Sequence, residues 1–163
     1  MARFGIRIVL LLTVSSAASA QRVDPRPVIW SLAAPAMRDA PGSSVLGVAA
    51  LQARIAPGWH LYSMTQPPGG PRATRIEIAA GSAFRLAGAV RRPAPDTIPD
   101  ANFGIMSEVY DDSVTFRLLL TDLPRRRWAR RRLIVAVTYQ ACTSRLCLTP
   151  RTESVDVVVA TAR

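Results

Sequence analysis

The sequence contains no lysine, one histidine and two cysteines among its 163 residues. With His60 as the single histidine, neither a Ser-His-Asp catalytic set nor a Cys/His zinc site of four ligands can be argued. No glycine-rich phosphate loop follows a predicted strand, and no pair of carboxylates stands out. The sequence therefore predicts no metal site, and it gives no support to a hydrolase or a nucleotide-binding protein.

The charge of the chain is strongly one-sided. All basic residues are arginines, and the formal net charge is +10. Proteins that bind nucleic acids usually mix lysine with arginine, so we expect no nucleic acid partner, and a net charge alone does not identify any other.

The strongest local charge feature is the segment 125–132, in which arginines flank one tryptophan on both sides. A solvated loop is the default interpretation of such a run. The alternative is a docking surface for a partner protein or an anionic membrane surface. The candidate docking residues are Arg125, Arg126, Arg127 and Trp128.

The first 20 residues have the pattern of a secretory signal peptide. Arg3 and Arg7 give a positive start, residues 8–14 form an apolar stretch, and the small residues 18–20 form a cleavage site. After residue 20 no apolar run approaches the roughly 18 residues that a membrane-spanning helix needs. We therefore expect an exported protein.

The remaining chain is expected to form one domain. Residues 21–44 are rich in proline and predict a lead-in with one candidate edge strand near residues 28–32. Residues 45–163 then form the domain proper. Residues 66–71, rich in proline and glycine, predict a loop. For a second proline-rich stretch, residues 93–99, we predict no strand.

Apolar alternation, an aromatic-rich segment at 59–63 and β-branched runs predict strands in the domain, at residues 45–55, 59–63, 75–78, 84–86, 114–120, 133–139 and 155–159. Segment 133–139 is β-branched and nearly continuous, which predicts a central strand buried on both faces. No amphipathic helix and no repeat is evident. The fold class predicted is all-β, an antiparallel β-sandwich of immunoglobulin-like type.

Cys142 and Cys147 lie five positions apart, between the last two predicted strands. In an oxidising compartment we expect them to pair. As a staple, so short a ring would remove only about 2 kcal/mol of unfolded-state freedom. As an exchange site, a disulfide on a protruding hairpin would be open to an incoming thiolate, and Arg145 would favour a thiolate after reduction. The spacing alone leaves both interpretations open.

Three segments together resemble a known family. Residues 58–62 (Gly-Trp-His-Leu-Tyr), 103–110 (Phe-Gly-Ile-Met-Ser-Glu-Val-Tyr) and 137–142 (Val-Thr-Tyr-Gln-Ala-Cys), followed by Cys147 and Pro150, occur in that order. They resemble the N-terminal periplasmic domain of the thiol:disulfide interchange protein DsbD. The resemblance spans most of the chain after residue 20, and the Tyr-Gln-Ala-Cys segment is its most specific part.

The resemblance implies a periplasmic, immunoglobulin-like component of a thiol-disulfide oxidoreductase that needs no cofactor. Cys142 and Cys147 would be reduced by a membrane-embedded or thioredoxin-like partner and would reduce periplasmic disulfide isomerases or cytochrome c maturation proteins. Phe103 would belong to a cap loop that shields the pair. The surroundings of the pair are assigned to Phe103, Tyr62, Tyr139, Asp100 and Arg145.

The chain departs from the family in two respects. It ends at Arg163, without the transmembrane conduit and thioredoxin-like domain that usually follow, so we expect a separate reductant. Ala101 and Asn102 stand where family members can carry acids, and Asp100 is the nearest carboxylate.

Two further expectations concern the cysteines. We expect Cys147 to form the mixed disulfide with the downstream protein and Cys142 to resolve it.

The alternative function is a non-catalytic exported binding module with a structural disulfide, which contacts a protein, a carbohydrate or a membrane surface through the arginine-tryptophan segment.

Overall fold

The computed structural model describes residues 26–37, 47–122 and 131–159, and every regular element in these ranges is a β-strand. No helix in these ranges is long and apolar enough to cross a membrane. The strands are β1 (Val28–Leu32), β2 (Ala36–Met37), β3 (Gly47–Ile55), β4 (His60–Tyr62), β5 (Arg75–Ile78), β6 (Phe84–Leu86), β7 (Asp96–Asp100), β8 (Ile105–Tyr110), β9 (Ser113–Asp122), β10 (Arg131–Tyr139), β11 (Ala141–Cys142) and β12 (Arg151–Val159).

The strands form three antiparallel sheets. The first sheet has the order β1-β3-β9-β6, with β2 also paired to β3; the second is β12-β10-β5, and the third is β11-β4-β8-β7. One hydrophobic core contains residues from all three sheets, among them Leu51, Val135 and Leu61. The predicted immunoglobulin-like β-sandwich is confirmed.

Strict alternation in the two longest strands of the first sheet builds one side of this core. The odd-numbered positions of β3 from Gly47 to Ile55 are buried, as are the even-numbered positions 114–120 of β9. The pairing register places Leu51 opposite Phe116. Each such side chain contributes about 1.5 to 3 kcal/mol when it leaves water. Across the core, the Trp30 ring lies edge-on to Tyr139 with 5.5 Å between ring centroids.

Two sequence predictions need correction. Strand β10 is central, between β12 and β5, but it is not buried on both faces, because Ile134, Ala136 and Thr138 are half-exposed. An antiparallel sheet keeps one face towards solvent, which the unbroken apolar run concealed.

The second correction concerns the proline-rich stretch 93–99, which contributes to strand β7. This strand pairs only with β8 among the described strands, so Pro99 stands on an edge, where a missing amide hydrogen costs little. The predicted edge strand at 28–32 is present as β1. The predicted signal peptide at 1–20 lies outside the described residues, as do Val45 and the docking residues Arg125, Arg126, Arg127 and Trp128.

Candidate functional site

The two cysteines form a disulfide at the end of the third sheet. Strand β11 places Cys142 opposite His60 of β4, and the Sγ atoms of Cys142 and Cys147 are 2.04 Å apart. The intervening turn is tight: the Thr143 amide donates to the Leu146 carbonyl at 2.7 Å, and the Thr143 hydroxyl accepts the amides of Arg145 and Leu146 at 3.2 and 3.0 Å. This cysteine loop, residues 142–147, is therefore a tight hairpin held by its own hydrogen bonds.

The two cysteines differ in their exposure. Cys142 is 0% exposed, whereas Cys147 is half-buried. The sequence predicted an accessible hairpin, which is wrong for Cys142, because β4 and β8 cover it. An incoming thiolate must reach the sulfur it attacks, and of the two residues Cys147 offers the approach.

A small apolar cluster surrounds the pair. Tyr62, Val109 and Cys142 form its buried part, and the half-buried Ile98, Phe103 and Cys147 pack against it. The Phe103 ring meets the Tyr62 ring edge-on, with 6.1 Å between centroids. The structure thus brings Phe103 and Tyr62 together with the two cysteines.

Phe103 is carried by the turn between β7 and β8, residues 101–104, which we call the cap loop. The Gly104 amide donates to the Asp100 carbonyl at 2.8 Å, and Gly104 has a φ of +68°, in the region that favours glycine. The Asp100 carboxylate accepts the Asn102 amide at 2.9 Å, as in an Asx turn. These bonds fix the cap loop from within.

Asn102 also ties the cap loop to the cysteine loop. Its side-chain amide donates to the carbonyl of Thr143 at 2.8 Å, across 41 positions of sequence. Sequence reasoning noted Asn102 only as a departure from the family and missed this role. The Asp-x-Asn pattern is typical of side chains that cap turns, so it signals the turn at 100–102 but not its contact with Thr143.

Asp100 ends a chain of buried polar groups behind the cysteines. The Tyr62 hydroxyl donates to Asp100 Oδ2 at 2.6 Å, and His60 Nε2 lies 3.2 Å from the same hydroxyl. Burial alone would raise the pKa of Asp100, but the hydrogen bonds from Tyr62 and the Asn102 amide outweigh it and lower that pKa. Burial and the bond to Asp100 raise the pKa of Tyr62 far above its ordinary value. Tyr62 therefore stays protonated and Asp100 ionised at neutral pH.

The protonation of His60 is controlled by the same surroundings. Burial lowers the pKa of His60 and outweighs the opposing attraction of Asp100 and Asp111. His60 is therefore neutral at pH 7, and its Nε2–H donates to Tyr62, whose own proton goes to Asp100.

We expect His60 to make the folded state less stable as the pH falls below about 6.5, the ordinary histidine value. Because the folded-state pKa is lowered, the unfolded chain takes up the proton first, so the free energy of unfolding decreases from that pH down to the folded-state pKa. The slope is at most about 1.4 kcal/mol per pH unit. Urea unfolding between pH 5 and 7.5 measures it.

The variant His60→Phe provides the control, since it keeps a ring against Tyr62, whose centroid lies 5.0 Å from that of His60. Its unfolding free energy should be flat across this pH range, because His60 is the single histidine of the chain. An unchanged slope in the variant would contradict the assignment.

The remaining predicted site residues lie further from the sulfurs or are exposed. Tyr139 belongs to the main core, and its hydroxyl donates to Glu153 at 2.5 Å. Arg145 is exposed in the cysteine loop, beside Leu146. The docking role of Arg125, Arg126, Arg127 and Trp128 stays a prediction. Within the described ranges no three His, Cys, Asp or Glu side chains are grouped to hold a metal ion.

Two solved structures resemble this chain in fold. The crystal structure of the Neisseria meningitidis DsbD N-terminal domain in the reduced form is 15% identical, with a TM-score of 0.49 over 71% of this chain and 78% of that one. The N-terminal periplasmic domain of ScsB from Proteus mirabilis is 23% identical, with a TM-score of 0.49 over 71% of this chain. This chain covers 42% of the ScsB chain, less than half its length. No curated protein matches the sequence.

The family comparison covers more of the molecule. The family model described as "Thiol:disulfide interchange protein DsbD, N-terminal" matches residues 38–159. This range contains both cysteines, the cap loop and the chain of polar groups from His60 to Asp100. The chain therefore belongs to the family of DsbD N-terminal domains.

Proposed function

We propose that this thiol-disulfide exchange domain carries two electrons at a time in the periplasm. Its reductant would be membrane-embedded or thioredoxin-like, and its targets would be periplasmic thiol proteins such as disulfide isomerases or cytochrome c maturation proteins. One observation carries the proposal: a half-buried Cys147 and the cap residue Phe103 pack against the same small cluster, in which the partner Cys142 is fully buried.

The exchange conserves atoms and electrons at each step. A thiolate of the reductant attacks Cys147 Sγ, the Cys142–Cys147 bond breaks, and Cys142 leaves as a thiolate that takes up a proton. The reductant's second thiolate then attacks its own sulfur in the mixed disulfide, forms its disulfide and releases Cys147 as a thiolate. The domain gains two electrons, and the reductant loses two.

Delivery to the target runs through the same two sulfurs. The Cys147 thiolate attacks the target disulfide, one target cysteine leaves as a thiolate, and a mixed disulfide forms. Cys142 then attacks Cys147 Sγ, which restores the internal disulfide and leaves the target reduced. Because Cys142 needs to meet only Cys147, its burial is compatible with a resolving role.

The cap loop gives this exchange a gate. Phe103 and the bond from Asn102 to Thr143 hold the loop against the cysteines. A partner that displaces the ring gains access, so recognition and exchange are coupled. Leu146 and Met106, which are 43% and 55% exposed, supply apolar contact area beside the cysteine loop and the cap. The predicted signal peptide supports the periplasmic location.

The first measurement is the reduction potential of the pair. The protein is equilibrated in a series of thiol/disulfide buffers, and free thiols are counted by alkylation and mass. For an exchange domain we expect a midpoint between about −180 and −270 mV. The double variant Cys142→Ser, Cys147→Ser should show no change in mass at any potential.

A midpoint below about −300 mV would contradict the proposal, because structural disulfides lie in that range. The pair would then be a staple, and the alternative of an exported binding module would take its place.

A further inference from the structure

The outer face of the first sheet carries arginines but no carboxylates. Its exposed positions on the described strands are Ile29, Ser31, Ala36, Gln52, Arg54, Arg85, Ser113, Thr115 and Arg117, and Arg91 adjoins Arg117 through a short β-bridge. No described strand position on this face is an aspartate or a glutamate. The charged side chains on its described strands are therefore all arginines, and the face lies on a different sheet from the cysteine pair.

Arg91 and Arg117 form an unfavourable pair. Their backbones exchange two hydrogen bonds, with the Arg91 amide 3.0 Å from the Arg117 carbonyl and the Arg117 amide 2.8 Å from the Arg91 carbonyl. Residues paired in this way are directly opposite, and like charges at such positions destabilise a sheet. A bound anion would remove the repulsion.

The neighbouring Arg92, by contrast, has partners within the protein for its guanidinium group. Its Nη2 donates to the Thr65 hydroxyl at 3.1 Å, and its charge helps to lower the pKa of Glu108 after the larger contributions of the Thr65 and Ser63 hydrogen bonds. Arg91 and Arg117 make no side-chain hydrogen bond and no ion pair with any residue in the described ranges. Their guanidinium groups remain available to a ligand.

A groove of about 540 Å³ lies between these side chains. It is lined by Arg91, Arg92, Pro93, Ser113, Val114, Thr115 and Arg117. Guanidinium groups present fixed pairs of N–H donors, which match the oxygens of a phosphate group, and the hydroxyls of Ser113 and Thr115 add two donors. The lining contains no carboxylate, so the chemistry of the groove fits a phosphate ester.

We infer that this groove binds the phosphate of an anionic lipid head group, so that the arginine face of the first sheet contacts a membrane surface. Ile29, which is 63% exposed, pairs in register with Arg54 on the same face, and Arg54 in turn pairs with Ser113 of the groove. Four positions of β9 separate Ser113 from Arg117, or about 13 Å. A broad sheet face with separated arginines and an exposed aliphatic side chain matches a membrane interface.

The test is co-sedimentation of the protein without its predicted signal peptide, residues 21–163, with lipid vesicles at low ionic strength. The wild type should bind equimolar phosphatidylcholine and phosphatidylglycerol vesicles and not phosphatidylcholine alone. Since each arginine near an anionic membrane contributes about a factor of five, the variant Arg91→Gln, Arg117→Gln should bind about 25-fold more weakly. The variant Arg72→Gln, Arg75→Gln removes the same charge near β5 of the second sheet and should bind like the wild type.

Three outcomes would overturn the inference. Equal losses in the two double variants would mean that net charge alone drives binding. Binding of inorganic phosphate, at an ionic strength matched with chloride, without binding of vesicles would assign the groove to a soluble phosphate. If neither inorganic phosphate nor vesicles bind, an acidic protein would be the ligand of this face. The reduction potential of the cysteine pair should be the same in all variants, so failure here leaves the exchange function untouched.

Discussion

A Cys142→Ser variant is expected to form a lasting mixed disulfide with an oxidised partner, whereas a Cys147→Ser variant forms almost none. In the first variant the half-buried Cys147 can attack, and the resolving thiol is missing. In the second, the remaining thiol belongs to Cys142, which is 0% exposed and lies between β4 and the cysteine loop. Such a thiol reacts only after local opening of the structure, which lowers its rate on the order of tenfold or more.

A small chromogenic aromatic disulfide makes this difference measurable without a natural partner. Each single variant has one thiol, so the rate of chromophore release reports that thiol alone. In strong urea both variants should react at similar rates, which shows that the folded structure causes the difference. A faster native reaction of Cys142 would reverse the roles of the two cysteines. The double Cys→Ser variant should release no chromophore.

Most strands that the sequence predicted have one buried face; the exception is β4, which is buried throughout and was predicted from its aromatic residues. In β9, Val114, Phe116, Leu118 and Leu120 alternate with residues that face away from the core, and this period of two is visible without any knowledge of the partners. Strand β8 was not predicted, because Val109 and Tyr110 are both buried while the buried Ser107 is polar. An exposed apolar Met106 beside a buried polar Ser107 hides the apolar alternation on which the prediction depends.

The cysteine pair and Phe103 could be identified from the sequence because short segments carry the family resemblance. The hydrogen bonds that join these segments could not be identified from the sequence. Tyr62 and Asp100 are 38 positions apart, and Asn102 and Thr143 are 41 apart, so each contact depends on how the third sheet aligns β4, β7 and β11. The burial of Cys142 has the same origin. A hairpin with its two cysteines five positions apart looks exposed until β4 and β8 are placed against it.

The variant Phe103→Ala should accelerate reduction of the disulfide by a small phosphine about tenfold, which corresponds to ~1.4 kcal/mol of lost closure energy. The ring packs on the cluster that contains Cys142 and Cys147, and alanine leaves that side open. Phe103→Leu restores part of the cover and should lie between alanine and the wild type. Asn102→Ala removes the bond to Thr143 but keeps the ring, so we expect a smaller increase, about twofold to fivefold for one hydrogen bond.

A lower global stability could also expose the disulfide, and Ile78→Ala separates the two causes. Ile78 is half-buried against the main core in β5, away from the cap loop, so its truncation weakens the fold without opening the cap. Suppose that Ile78→Ala and Phe103→Ala lower the free energy of unfolding by the same amount. If they then also accelerate reduction equally, the cap is not a gate. If only the cap variants react faster, local opening at Phe103 controls access to Cys147, and a partner need displace one ring rather than unfold a sheet.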